Sequence, residues 1–333
     1  MGKEFKNGLV LGKCYPPTKG HLYLIDSAIK QCDTVHVMVC SLKSEKIAGE
    51  LRYGWVKEIY KDNPNVNVIH CDDENPQHPP ECATVDEFYN DYWVPTVNKH
   101  VKVLDAVFTS EDYGDEFASY LGVKHVLVDK ARTTYPVSGT AVRENPYANW
   151  DLIPDNVKQF FMKKIVILGP ESVGKSTMVK KLAEHFECEY VQEFGRTYTE
   201  IVGTDNLDIS DFETIAIAQD YNINMYPSCK LLIVDTEAIT TRIFAEMYLG
   251  TCQSQIIDGI ISKQHFDLYL VLDVDVPWVD DGTRDFPEGR EEHLNTIKRN
   301  LESCGIAYTL ISGTNYDERF NKAVKEVVNV GYL

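Results

Sequence analysis

The chain has 333 residues, enough for two domains with full cores, and its 44% apolar and 25% charged content is that of ordinary globular protein. A net charge of −18 argues against a nucleic-acid partner, no apolar run approaches the length of a membrane span, and no charged-then-apolar leader opens the chain. The nine scattered cysteines include no C-x-x-C pair, so they suggest neither a zinc site nor a disulfide framework and fit a reducing cytoplasm.

Gly8 to Leu11 reads as a short apolar strand. The loop Gly12-Lys13-Cys14-Tyr15-Pro16-Pro17-Thr18-Lys19-Gly20-His21 follows, then a helix from about Gly20 with Leu22, Ile25, Ala28 and Ile29 on one face. Thr34 to Cys40 is a second strand, which completes a βαβ unit. Arg52, in L-R-Y-G-W, reads either as a ligand-side arginine or as a solvated helix residue. The stretch from Cys71 to Pro80 is a surface loop. His70, Asp72, Asp73 and His78 there have no metal-site spacing. Trp93 is open to two readings, stacking on a base or packing in a core. Val107 to Thr109 is a strand that delivers Ser110 and Glu111 to the carboxyl edge of a sheet, where ligands bind in such folds. Ser138 and Thr140 would open a helix, their hydroxyls satisfying free N–H groups, with Arg143 one turn further in. Regularity breaks between Pro146 and Lys164, which predicts domains over residues 1–160 and 161–333. A packed junction is expected, because Phe160 and Phe161 need cover.

The second half opens on a buried strand, Ile165 to Leu168, and then Gly169-Pro170-Glu171-Ser172-Val173-Gly174-Lys175-Ser176-Thr177. Met178, Val179, Leu182 and Phe186 continue at helical spacing. Strand, G-x-x-x-x-G-K-S loop and helix together predict a P-loop, with Lys175 on the β- and γ-phosphates of ATP and Ser176 on Mg²⁺. Cys188 to Val191 is a strand ending near Glu193 and Arg196, which would face the nucleotide. Lys230 to Val234 is an apolar strand delivering Asp235 to the Mg²⁺ shell. Asp267 to Asp273 is another buried strand. The run from Val274 to Arg290 mixes charge, Gly and Pro and sits where P-loop kinases carry a lid. Arg284 and Arg290 are its candidate phosphate-closing arginines. Trp278 would stack on a base while Asp280 or Asp281 grips ribose hydroxyls. Leu294, Ile297 and Leu301 mark a helix stopped by Gly305, and Thr309 to Ile311 is the last strand.

The two motifs of the first half, T-x-G-H and V-S-G-T-x-x-R, resemble the paired signatures of the nucleotidylyltransferase superfamily. The resemblance implies a Rossmann-like α/β domain that binds ATP through Gly12, Thr18, Gly20, His21, Ser138, Thr140 and Arg143, with His21, Lys19 and Arg143 catalytic. Cys14 departs from the family's usual aromatic, and Thr18 stands where many members carry histidine. The S-E-x-Y-G segment at Ser110 to Gly114 resembles the nicotinamide mononucleotide (NMN) branch, implying NMN contacts from Arg52, Trp93, Ser110 and Glu111. Joined to a P-loop kinase with W-V-D-D-G-x-R at Trp278 to Arg284, the chain is similar to the bifunctional NadR-type enzymes: NMN adenylyltransferase fused to ribosylnicotinamide kinase. That likeness implies two parallel-sheet domains, small-molecule substrates (ATP, nicotinamide riboside, NMN, NAD) and Mg²⁺. In the kinase half, Gly169, Gly174, Lys175, Ser176, Thr177 and Arg290 would hold ATP, with Ser176 and Asp235 on the metal. Glu193, Arg196, Trp278, Asp280 and Asp281 would hold the riboside. The carboxylate base is Asp235 or Glu193, and Lys175 and Arg284 complete the catalytic set. Some members begin with a helix-turn-helix repressor domain, which is not expected here because the first phosphate motif opens at Gly12. Alternative readings are an adenylyltransferase of another phosphate acceptor beside a different nucleoside kinase, or a sensor that binds NAD or ATP without turnover. A homo-oligomer is left open.

Overall fold

Two parallel five-stranded sheets organise the residues that the computed structural model describes, 2–226, 228–277 and 289–332. The chain divides into two units, Met1–Lys158 and Gln159–Leu333. Trp278, Asp280, Asp281 and Arg284 lie outside the described residues.

In the first unit the strands are β1 (Phe5–Gly12), β2 (Cys32–Cys40), β3 (Val66–Cys71), β4 (Ala106–Thr109) and β5 (Lys124–Leu127), in the order β3-β2-β1-β4-β5. β1 pairs with β2 from Phe5↔Cys32 to Gly12↔Val39, and with β4 from Gly8↔Ala106 to Val10↔Phe108. Leu9, Val35, Val37, Val39, Val107 and Phe108 are buried with almost no exposure, as expected of strands covered on both faces. The chain crosses to one side of β1 first and to the other side later. The carboxyl end of β1 is therefore a topological switch point, the place where open α/β sheets leave a ligand crevice. The loop from Lys13 to Thr18 leaves the sheet at that point.

The second unit contains β6 (Lys163–Leu168), β7 (Glu189–Val191), β8 (Leu231–Asp235), β9 (Leu268–Leu272) and β10 (Thr309–Ile311), in the order β10-β9-β6-β8-β7. Central β6 is flanked by β8 and β9, and the register Ile167↔Asp235 sets Asp235 level with the start of the P-loop. The helix Lys175–Phe186 turns Met178, Val179, Leu182 and Ala183 inward. Between β7 and β8 the chain forms two helices, Phe194–Val202 and Ile209–Asn224. The helix around Leu294 spans Arg290–Ser303 and is followed by Gly305 at φ +68°. Phe160 is 48% exposed, its ring set edge-on against Phe161 at 5.0 Å. Among the described residues no helix is long and apolar enough to cross a membrane.

Candidate active sites

At the switch point of the first unit, Thr18 caps the helix Lys19–Gln31 and is itself buried. The cap is reciprocal. The Thr18 hydroxyl accepts from the His21 N–H at 3.4 Å, and His21 Nδ1 accepts from the Thr18 N–H at 3.1 Å. A ring nitrogen that accepts from an amide carries no proton, so the proton resides on Nε2, ready to donate. Burial holds the imidazole pKa down to about 4, and the Arg132 charge adds to that, so His21 is neutral at physiological pH. Thr18, Gly20, His21, Ser110, Arg132, Ser138 and Gly139 line one hollow.

The second signature segment closes this hollow. Ser138 caps the helix Gly139–Glu144 by accepting from the Ala141 N–H at 3.0 Å. Thr140 does not cap. Its hydroxyl accepts from the Arg143 guanidinium at 3.0 Å, which orients the arginine. Arg143 also donates to the Tyr15 carbonyl and lies over the Tyr15 ring, 4.1 Å from its centroid. That approach explains Gly139, where a Cβ would stand 2.5 Å from the Tyr15 carbonyl oxygen. Lys19 is the first residue of its helix, and Gly12 ends β1.

Arg52 differs from the solvated reading. It is fully buried on the helix Gly49–Ile59, donating to the Lys13 carbonyl at 3.0 Å and to Glu45 at 2.6 Å, and lying 4.8 Å from the Tyr15 ring centroid. Burial opposes the Glu45 charge, but the Leu42 N–H, Lys13 and Arg52 outweigh it and hold the carboxyl below its usual range. The guanidinium is thus spent on the loop that carries the phosphate motif. Trp93 is 7% exposed, packs against Phe88 and donates its indole N–H to the Pro76 carbonyl at 3.0 Å, so it belongs to the core. Ser110 lines the hollow, whereas Glu111 reaches it through a 2.7 Å ion pair with Arg132. Arg132 escaped the sequence reading. A turn at positive φ presents it, tied by the Asp129 carboxylate, which takes the N–H groups of Thr133 and Thr134 at 2.8 and 2.9 Å. Those donors hold Asp129 down to about 2.

In the second unit the P-loop follows β6. Gly169, at φ +150°, admits no side chain: a Cβ would meet Val173 at 2.9 Å and the Leu272 carbonyl at 3.0 Å. Gly174 immediately precedes the helix, and Lys175 donates to the Pro170 carbonyl at 3.0 Å across the loop. Asp235 is 2% exposed. Burial pushes its carboxyl up to about 7, helped by the Glu193 charge and opposed by Lys175 and the Ser176 hydroxyl. Its Oδ1 is buried and accepts no hydrogen bond among the described residues.

From the P-loop a cleft of about 370 Å³ runs past Glu193 and Arg196 into a chamber whose walls are Phe212, Ile215, Phe244 and Tyr248, with Thr240 and Thr241 beside them. Lys175, Ser176 and Thr177 line its phosphate end. Of the predicted riboside contacts, Glu193 and Arg196 lie here. The chamber residues of the helix Ala238–Leu249 were not anticipated, because nothing in their spacing distinguishes them from core. Arg290 is not among the described residues that line the cleft, and it gives both terminal nitrogens to the Val276 carbonyl at 3.1 Å.

Two other groups carry chemistry outside these sites. Glu237 is buried and caps its helix by accepting from the Ile239 N–H at 2.7 Å and the Thr240 N–H at 3.3 Å. Burial raises its pKa from 4.5 to about 7 despite those donors. Between these values the unfolded chain releases a proton that the folded unit retains, so stability falls as pH rises, by on the order of 3 kcal/mol. Glu237→Gln keeps the shorter cap bond and removes this dependence. Its melting temperature relative to the parent should climb from pH 5 to pH 8, and thermal melts at both pH values check this. Cys71, Asp73 and His100 come within 4.8 Å of one another. Lys99 already holds both Asp73 oxygens at 3.0 and 3.2 Å, and we assign no metal there.

Residues 164–319 match the family model described as an AAA domain, and residues 7–75 match the citrate lyase ligase C-terminal domain. The chain is 32% identical over 356 residues to the trifunctional NAD biosynthesis/regulator protein NadR of Escherichia coli strain K12, covering 98% of this chain and 85% of that protein. It also superposes on two solved structures. One is a NadR protein in complex with NAD and AMP-PNP, with TM-score 0.77, 20% identity, and 100% and 98% of the two chains covered. The other is a NadR protein in complex with NR, with TM-score 0.75, 21% identity, and 99% and 98% covered.

Proposed function

We propose, for a chain that belongs to the NadR family, that its two units run consecutive steps of NAD salvage, each on its own phosphate site. The protein is a ribosylnicotinamide kinase and an NMN adenylyltransferase. Both phosphate sites are built in one chain, and this observation carries the reading. The Thr18–His21 capping box stands with Arg132 and Arg143 in the first unit, and Lys175, Ser176, Asp235 and Glu193 stand together in the second.

In the kinase unit the riboside 5′-oxygen forms a bond to the γ-phosphorus of ATP while the bond to the β-bridging oxygen breaks and ADP leaves. The hydroxyl proton needs an acceptor. Glu193 lines the cleft and takes it, whereas Asp235 is withdrawn beside Ser176. The unpartnered Oδ1 of Asp235 and the neighbouring Ser176 hydroxyl form a hard oxygen donor pair that suits Mg²⁺. Bound there, Mg²⁺ would neutralise charge on the β- and γ-phosphates. Lys175 contributes its charge to the transferring group, and the aromatic chamber receives the nicotinamide ring.

In the adenylyltransferase unit an NMN phosphate oxygen attacks the α-phosphorus of ATP and pyrophosphate departs. The nucleophile is already anionic, so the site has only to align and to neutralise. His21 donates Nε2–H to the phosphates, and Lys19, Arg132 and Arg143 supply positive charge. Arg52 acts one step removed, by holding the Lys13–Tyr15 loop. All nine cysteines are unpaired, which suits a cytoplasmic enzyme.

The test is NAD formation by the purified chain with Mg-ATP and either nicotinamide riboside or NMN. Both substrates should yield NAD, with NMN appearing as the intermediate of the first route. Failure of NMN to react would remove the adenylyltransferase assignment. Failure of the riboside alone would remove the kinase assignment.

A further inference from the structure

The helix Ile209–Asn224 buries Phe212, Ile215, Ala216 and Ile223 on its inner face, and in that row stands an amide, Gln219, only 2% exposed. All three hydrogen bonds of its side chain go to main chain beside the cleft. Its Oε1 accepts from the Phe194 N–H at 2.9 Å. Its Nε2 donates to the Asp235 carbonyl at 2.9 Å and to the Thr236 carbonyl at 3.1 Å. The first bond falls immediately after Glu193, and the other two fall on Asp235 and the residue after it.

We infer that Gln219 is a positioning residue of the kinase site, a clasp that fixes the Glu193 turn against the end of β8 and so sets the two carboxylates at their working separation. Three features of the geometry support this. Glu193 stands at the N-cap of the helix Phe194–Val202 without bonding its own helix, since Gln219 serves the first N–H from outside. The Glu193 carboxylate is thereby left for the cleft. Thr236 is held at φ +62°, a conformation unfavourable for a β-branched residue, and Gln219 anchors its carbonyl. An amide is also the group that offers one acceptor and two donors on a short planar end, which matches one N–H and two carbonyls. A carboxylate in its place would set an acceptor against two acceptors, and a thioether would leave all three backbone groups unpaired.

The inference rests on the cleft being the site of riboside phosphorylation, and the parent protein's turnover of nicotinamide riboside tests that separately. Gln219→Glu and Gln219→Met, in the full chain, test the clasp. NMN adenylylation by the same preparations reports on the first unit, and the KM for ATP in the kinase reaction reports on an intact P-loop. Misplacing a reacting group by about 1 Å costs on the order of a hundredfold. The expected result is therefore a kcat for riboside phosphorylation about a hundredfold lower, with the KM for ATP within about twofold of the parent. A kcat close to the parent's in Gln219→Glu would overturn the inference. So would a loss of kcat matched by an equal rise in the KM for ATP, since that is general loosening. Should Gln219→Met fail to fold, the near-isosteric Gln219→Glu decides.

Discussion

Lys175→Ala should abolish NAD formation from nicotinamide riboside and leave NAD formation from NMN at the parent rate. Lys175 begins the P-loop helix, where the backbone N–H groups and the helix dipole already favour phosphate. Its ammonium adds the mobile positive charge that follows the γ-phosphoryl group as the bond to ADP breaks. A charge that serves mainly in the transition state lowers kcat when removed, and comparable phosphate-binding cations are worth on the order of 10³ or more in rate. A second effect runs in the same direction. Lys175 is the strongest influence holding the Asp235 carboxyl down against burial and the Glu193 charge, so its loss lifts that pKa further. A protonated Asp235 is a poorer oxygen donor for a cation. The adenylyltransferase unit draws on none of these residues, since its cations come from the first unit's own loops. Parallel assays with the two substrates on one preparation read both routes. Survival of the riboside route would mean that phosphorylation happens elsewhere. A fall in the NMN route would mean that the two halves are not chemically independent.

The contrast between what could and could not be read from sequence follows from how each residue reaches its site. The P-loop, the strand that ends in Asp235, and the T-x-G-H turn are local. Each is a strand, a turn and a helix start, so spacing alone carries them. Arg132 and Gln219 are there because topology brings them. Gln219 reaches the cleft because β8 lies beside β6, and the helix ahead of β8 packs against the turn after β7. A trace of it was nonetheless present. A lone amide on the apolar row Phe212, Ile215, Ala216, Ile223 is a buried polar group that must find hydrogen-bond partners, most often backbone. Arg52 misled for the opposite reason. An arginine in a helix is ordinarily solvated, and its burial depends on Glu45, the Lys13 carbonyl and the Tyr15 ring, three contacts from two loops whose courses spacing does not reveal. Thr140 shows a finer limit. The hydroxyl was expected at the helix start, but Ser138 fills the cap and Thr140, already inside the first turn, aims Arg143 instead.

His21→Ala should lower NMN adenylylation by about 10² to 10³, the cost of one preorganised donor to developing charge, while riboside is still converted to NMN, which then accumulates. The imidazole makes two contributions that the substitution separates poorly from each other but well from folding. Its Nδ1 takes the Thr18 N–H and closes the capping box, a loss of about 1 kcal/mol that thermal melting would register as modest. Its Nε2–H is the group left for ATP. The pH dependence distinguishes this donor from an imidazolium. Burial, with Arg132 beside it, keeps His21 at about 4, so the neutral ring is the form present throughout the physiological range, and protonation begins only as pH falls toward that value. The kcat/KM for NMN should therefore show no limb centred near 6.5 that disappears in His21→Ala. If such a limb is found, the ring works as a cation, the Nδ1 contact to Thr18 must open during the reaction, and the neutral-donor role is wrong. If the profile is flat while His21→Ala is slow, the charge on the leaving pyrophosphate is met by Lys19, Arg132 and Arg143, and His21 supplies direction instead of charge.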